Sequence, residues 1–112
     1  MDDDIPAAGE VWWVQLAPMM GTEQSGKRPF LVISPKAVND VIHRVIGVTI
    51  SRTNHEWQTE IPLTTLPEPC VAQADQIQSV DIEARKGEFR GHKVTEAELA
   101  SVREAVRPLI GI

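Results

Sequence analysis

A chain of 112 residues, 42% of them hydrophobic, is the size of one domain and can bury a small core without disulfide staples. Its single Cys70 cannot close an intramolecular disulfide, and the acidic start MDDDIPAAGE has neither the basic nor the apolar region of a secretory signal, so a cytoplasmic, reducing compartment is expected. The net charge of −5 argues against a uniformly basic nucleic-acid-binding surface, and no membrane span is expected because no apolar run approaches the ~20 residues one requires.

Residues 1–8, with Asp2, Asp3 and Asp4, read as a flexible acidic tail ahead of a single domain over 9–112. EVWWVQL (10–16) is rich in strand formers. Its adjacent Trp12 and Trp13 must point to opposite faces, so one is expected in the core and the other half-exposed. In the loop GTEQSGKRP, Gly21, Gly26 and Lys27 satisfy G-x-x-x-x-G-K, but Arg28 stands where a phosphate-binding loop needs Ser or Thr. Pro29 then leads into RPFLVIS (28–34), a strand rather than a helix whose N-terminus would cradle phosphate. VIHRVIGVTIS (41–51) is expected as a third strand, curved or bulged at Gly47. HEWQTEIPL (55–63) alternates Trp57, Thr59 and Ile61 with Glu56, Gln58 and Glu60, the period of a half-buried strand. TTLPEP (64–69) is a turn-rich connector, CVAQADQIQSV (70–80) a fifth strand and GHKVT (91–95) a short sixth. A helix opens at Thr95, whose hydroxyl and Glu98 form a capping box, and Leu99, Val102, Val106 and Leu109 recur at helical spacing until Pro108 blurs the end. Short strands followed by one helix predict a mainly β fold with a C-terminal helix: a small, strongly curved antiparallel sheet or partial barrel that must hide its edges or pair them with a second copy.

The distribution of charge matters more than its sum. Between residues 20 and 55, Lys27, Arg28, Lys36, Arg44 and Arg52 face only Glu23 and Asp40, which leaves a local basic surface. His43, His55 and His92 are scattered and there is no cysteine pair, so no metal site is expected. Asp81 and Glu83 belong to DIEARKGE, a solvated charged segment, and no nucleophile elbow is present. Three stretches remain: the loop holding Glu23, Lys27 and Arg28, the strand end TISRT, and ADQIQS.

Those stretches carry a resemblance. GTEQSGKRPFLVISP is similar to the signature of the MazF/PemK family of toxin endoribonucleases, in which a G-x-E-Q-x-G-x-R-P loop is followed by an apolar strand and Ser-Pro. The similarity continues through GEVWWVQLAP, ADQIQSVDIEAR and the capped helix, over about residues 9 to 111. The resemblance implies a small SH3-like partial barrel of antiparallel strands of the MazF/PemK/CcdB kind. It also implies a homodimer that cuts single-stranded RNA at short sequences, uses neither metal nor other cofactor, and is neutralised by a small MazE-like antitoxin. Arg28 falls on the family's catalytic arginine, Glu23 on the acidic residue of the same loop, and Ser51 where many members have a catalytic threonine. Asp75 and Gln76 fall on a D-Q pair near the RNA; Gln24, Lys27, Arg52 and Gln73 complete the expected RNA-binding set. Two positions depart from the pattern: Ser51 keeps the hydroxyl without the methyl group, and Gln73 replaces a functional arginine of one branch.

The chemistry suits these groups. Metal-free cleavage uses the ribose 2′-hydroxyl as nucleophile, so the protein must supply a base, an acid for the leaving oxygen and charge for the transition state. Arg28 offers fixed charge and bidentate hydrogen bonds to phosphate, and Glu23 is the better base because burial can raise a carboxyl pKa. An ordinary loop ion pair between Glu23 and Arg28 is the competing reading. Two other functions share the resemblance: a DNA gyrase poison, which would require a Trp-bearing C-terminal end that RPLIGI lacks, and a binding module that has lost catalysis. A partner's acidic, partly disordered segment is expected to cover Lys27, Arg28 and Arg52.

Overall fold

The computed structural model describes residues 5–16 and 26–112. Six strands and two helices follow in the order β1 (Glu10–Val14), β2 (Arg28–Val32), α1 (Lys36–Ile42), β3 (Val45–Ser51), β4 (Glu60–Leu63), β5 (Cys70–Val80), β6 (Glu88–Lys93) and α2 (Glu96–Ile110). The strands form one antiparallel sheet in the order β4-β5-β3-β2-β1-β6. This is the mainly β half-barrel with a C-terminal helix that the strand pattern predicts.

Strand alternation feeds two cores. Val11 joins Leu31, Val48, Ile50, Ala72 and Ala74 beneath Val102 and Val106 of α2, while Trp12 and Val14 turn to the opposite face with Phe30, Val32, Val45 and Val80. Each fully buried valine or leucine contributes ~1.5–3 kcal/mol of transfer free energy. Trp12 is the core tryptophan, 9% exposed and stacked on Phe89 with ring centroids 5.5 Å apart. Trp13 is half-buried against the first core, with the Arg90 guanidinium 4.5 Å from its ring centroid.

The structure corrects several local expectations. The third strand begins at Val45, because residues 36–42 form a short helix whose chain reverses at His43 in the left-handed region. Buried Asn39 donates to the carbonyls of Pro6 (2.8 Å) and Ser34 (3.0 Å), and these tertiary bonds override the β propensity of Val41 and Ile42. Gly47 is not a bulge: a Cβ there would meet the Leu31 carbonyl and lie 2.7 Å from the Phe30 ring, so glycine admits the packing of Phe30. The irregularity lies in β5, where Val48 pairs with Ile77 but Thr49 with Gln73, leaving Ala74, Asp75 and Gln76 unpaired to β3. Only Glu60–Leu63 of the expected fourth strand is a strand, and its alternation is inverted: Glu60 is buried and Trp57 is 56% exposed.

At the C-terminal end β6 starts earlier than expected, at Glu88. The capping box is present: Thr95 Oγ1 accepts from the Glu98 N–H (3.0 Å) and Glu98 Oε1 from the Thr95 N–H (3.0 Å). Pro108 is tolerated in the last turn of α2, which Gly111 closes in the left-handed region. The apolar stripe ends at Val106, since Leu109 is 47% exposed. No helix among the described residues is long and apolar enough to cross a membrane.

Candidate active site

Antiparallel order brings the end of β1, the start of β2, the end of β3 and the start of β5 to one end of the sheet. They frame an open groove of about 810 Å³, whose lining includes Trp13, Lys27, Arg28, Thr49, Ser51, Arg52, Cys70 and Gln73. In the β2–β3 ladder Phe30 pairs with Thr49, and extending that register sets Arg28 opposite Ser51. Thr49 and Ser51, two apart on β3, share a face with Gln73, the partner of Thr49 on β5.

The polar groups are arranged rather than scattered. Ser51 Oγ accepts the Thr53 N–H at 3.0 Å, which leaves its own proton free to donate. Thr49 Oγ1 donates to Gln73 Oε1 at 2.6 Å; with its oxygen so engaged, the Gln73 amide keeps its N–H donors for a second partner. Arg28 is exposed and forms no ion pair among the described residues. Lys27 lies 3.8 Å from Glu88, whose carboxyl is held below its ordinary range by the hydrogen bond and charge of Arg90, with Lys27 adding to the effect. Arg52 pairs with Glu68 at 3.0 Å on the open surface, an arrangement that water and salt weaken. Burial, with the charges of Glu98 and Glu68, pushes the Cys70 thiol up, which disfavours the thiolate a nucleophile needs.

Of the site residues expected from the sequence, Lys27, Arg28, Ser51, Arg52 and Gln73 therefore meet in the groove. Asp75 and Gln76 do not line it; both are exposed at the register break in β5. Glu23 and Gln24 lie outside the described residues. Thr49 escaped the sequence reading. Its spacing of two from Ser51 was a usable signal, whereas its bond to Gln73 depends on a register that no local pattern reveals. Among the described residues no group of three or more His, Cys, Asp or Glu side chains is placed to hold a metal ion.

Comparison with known proteins supplies an independent line. Residues 7–110 match the family described as PemK-like, MazF-like toxin of type II toxin-antitoxin system. The chain is 31% identical over 107 residues to the endoribonuclease toxin MazF of Escherichia coli K12, covering 96% of each protein. It is 34% identical over 109 residues to endoribonuclease MazF9 of Mycobacterium tuberculosis, covering 88% of this chain and 91% of the relative. A MazF crystal structure from Deinococcus radiodurans superposes with a TM-score of 0.83 at 31% identity, over 96% of this chain and 98% of that one. Profile, relatives and fold converge over nearly the whole length: the chain belongs to the MazF/PemK family of toxin endoribonucleases of type II toxin–antitoxin systems.

Proposed function

We propose that this protein is a sequence-specific, metal-independent endoribonuclease that cuts single-stranded mRNA by attack of a ribose 2′-hydroxyl, acting in the cytoplasm. One arrangement supports the reading above others: exposed Arg28 opposite Ser51 in an open groove, with the Gln73 amide donors on the same face. Arg28 supplies fixed charge to the phosphate as it becomes pentacovalent, and Ser51 donates a hydrogen bond to a phosphoryl oxygen. Gln73 takes a neutral donor's part where one branch of the family has arginine. Glu23, ahead of β2 in the sequence, is the proposed base that removes the 2′-hydroxyl proton as O2′ bonds to phosphorus; the P–O5′ bond breaks and the 5′-oxygen takes a proton from water, leaving a 2′,3′-cyclic phosphate and a 5′-hydroxyl. Gln24, Lys27 and Arg52 hold the strand's phosphates, while Asp75 and Gln76 read bases at the exposed break in β5.

The protein acts as a homodimer. An apolar hollow of about 790 Å³ beside α2, lined by Ile33, Ile46, Ile77, Leu99 and Ile110, and the sheet edges β4 and β6 support this. A solved MazE–MazF complex from Deinococcus radiodurans resembles this chain with a TM-score of 0.86 at 30% identity, which supports control by a MazE-like antitoxin. An acidic segment of that antitoxin covers Lys27, Arg28 and Arg52, so its affinity falls as salt rises.

End-mapping of mRNA incubated with the purified protein in EDTA tests the proposal. Cuts at one recurrent short sequence are expected. RNA bound but uncut would instead leave the binding-module reading, and inhibition of gyrase without RNA cleavage the gyrase reading. Glu23→Gln should remove the acidic limb of the pH–rate profile; an unchanged limb would overturn the base assignment alone.

A further inference from the structure

The loop between β3 and β4 leaves the groove at Thr53 and ends in a feature that the proposed catalysis does not use. Trp57 is 56% exposed, the most exposed of the three tryptophans, and its indole stacks on His55 with ring centroids 4.2 Å apart and planes 14° from parallel. Residues two apart stack because Glu56 between them adopts a left-handed backbone (φ 60°), with its N–H bound to Asn54 Oδ1 at 2.7 Å. The fold holds this pair from below. Glu60, its side chain 1% exposed, accepts from the N–H of His55 (2.8 Å), the N–H of Trp57 (3.2 Å) and His55 Nδ1 (2.9 Å). An ionised carboxylate only accepts, so Nδ1 carries the proton.

The anchor also belongs to the groove. Glu60 on β4 pairs with Gln73 on β5, which pairs with Thr49 on β3. The carboxylate that holds the His55 ring and the backbone of both residues is thus one strand away from the amide that faces the groove. A flat aromatic surface left in water, backed by an imidazole that a buried acid holds, on the loop that leaves β3 at Ser51 and passes Arg52, is suited to receive a planar group carried on an anionic chain.

We propose that the Trp57–His55 stack is a base-stacking subsite, holding a nucleobase of single-stranded RNA that runs out of the groove along Arg52 and Thr53. The inference rests on the ribonuclease reading for its ligand, but it concerns binding outside the reacting centre. Trp57 is a specificity residue that acts by stacking; His55 and Glu60 position it. The indole face away from His55 takes the base, and a ring already stacked loses little conformational freedom on binding.

The experiment titrates mixed-sequence 2′-O-methyl single-stranded RNA, which cannot be cleaved, into wild-type protein and the variants Trp57→Ala and Trp57→Phe, while recording tryptophan emission and affinity. Wild type should be quenched; Trp57→Ala should bind about tenfold more weakly and lose most of the quench, and Trp57→Phe should recover most of the affinity. In cleavage assays Trp57→Ala should raise KM rather than lower kcat. Equal affinities for wild type and Trp57→Ala, no quench at saturating RNA, or a quench by an acidic peptide and not by RNA would each overturn the subsite. A quench that Trp57→Ala largely removes, without any cleavage by wild type, would sustain the subsite and refute the nuclease reading; cleavage with an unaltered KM in Trp57→Ala would do the reverse.

Discussion

Two carboxylates flank β4, and they hold its loops in the same way for different ends. On the helix side Glu98 accepts from the Thr95 N–H, the Thr64 N–H (2.7 Å) and the hydroxyls of Thr64 (3.2 Å) and Thr65 (2.9 Å), tying the β4–β5 connector to the first turn of α2. On the groove side Glu60 gathers two backbone N–H groups and an imidazole to order the loop after Ser51. The first clamp closes a face filled by Val102 and Val106; the second borders a face where Arg28, Ser51 and Gln73 remain open to solvent or half-buried. Apolar burial does the work beneath α2, and unspent hydrogen-bonding capacity marks the groove. Substitutions should therefore separate: groove changes should alter cleavage and spare stability, while helix-face changes should do the opposite.

The largest separation is expected at Arg28. Arg28→Ala should lower the cleavage rate by about 100-fold or more while leaving the melting temperature unchanged, because its exposed side chain carries charge and little packing. A fall in both would break the division. Val102→Ala is the mirror case: emptying a fully buried site under α2 should cost about 2 kcal/mol in denaturant unfolding, with the cleavage rate per folded molecule preserved. Next comes Thr49, at the seam between the two faces. Thr49→Val keeps the shape but frees the Gln73 oxygen, and should slow cleavage by roughly tenfold, with Thr49→Ser restoring it. Adding Thr49→Val to Gln73→Ala should then change nothing further, and an additive loss in that double mutant would show that Thr49 acts by another route.

Smaller effects come from pH and from the surface. Hydrogen bonding to His55 holds Glu60 below its ordinary value of 4.5; for Glu98 burial pushes upward, but the bonds from Thr64, Thr95 and Thr65 outweigh it and the net shift is again downward. A depressed folded pKa means that the stabilisation is complete above the unfolded value and is lost as pH falls through the lower folded one. Thermal melts should accordingly be level above about pH 5 and decline in more acid solution. Glu98→Gln should soften the decline, and an identical acid limb would remove Glu98 from the account. The smallest effect belongs to Arg52 and Glu68: breaking this exposed pair by Glu68→Ala should shift unfolding by less than about 0.5 kcal/mol.

The two sides also differed in how far the sequence revealed them. Thr95 and Glu98 announce the helix because a capping box is complete within four residues, and Val102 and Val106 follow at helical spacing. The loop signature brought Arg28 forward, and Ser51 followed from the same family resemblance, at a position where many members have threonine. Glu60 could not be found this way: by alternation alone it belongs to the polar face, and only the fold reveals that the His55 imidazole and the backbone N–H groups of His55 and Trp57 converge on it. The α1 helix was hidden for a similar reason, since Asn39 acquires its partners Pro6 and Ser34 only when the chain closes. Local signals fix elements whose bonds are local. The pairing of Thr49 with Gln73, and the exclusion of Asp75 and Gln76 from the groove, depend on a register break between distant strands.

The central claim is that the groove around Arg28 and Ser51 uses the substrate's own 2′-hydroxyl as nucleophile. The direct measurement is single-turnover cleavage, in EDTA, of two oligonucleotides of the end-mapped sequence that differ only in a 2′-hydroxyl or a 2′-hydrogen at the scissile position. The ribose substrate should yield a cyclic phosphate and a 5′-hydroxyl, and its deoxy counterpart should stay intact. Cleavage of both substrates, or cleavage that requires magnesium and leaves a 5′-phosphate, would contradict the account.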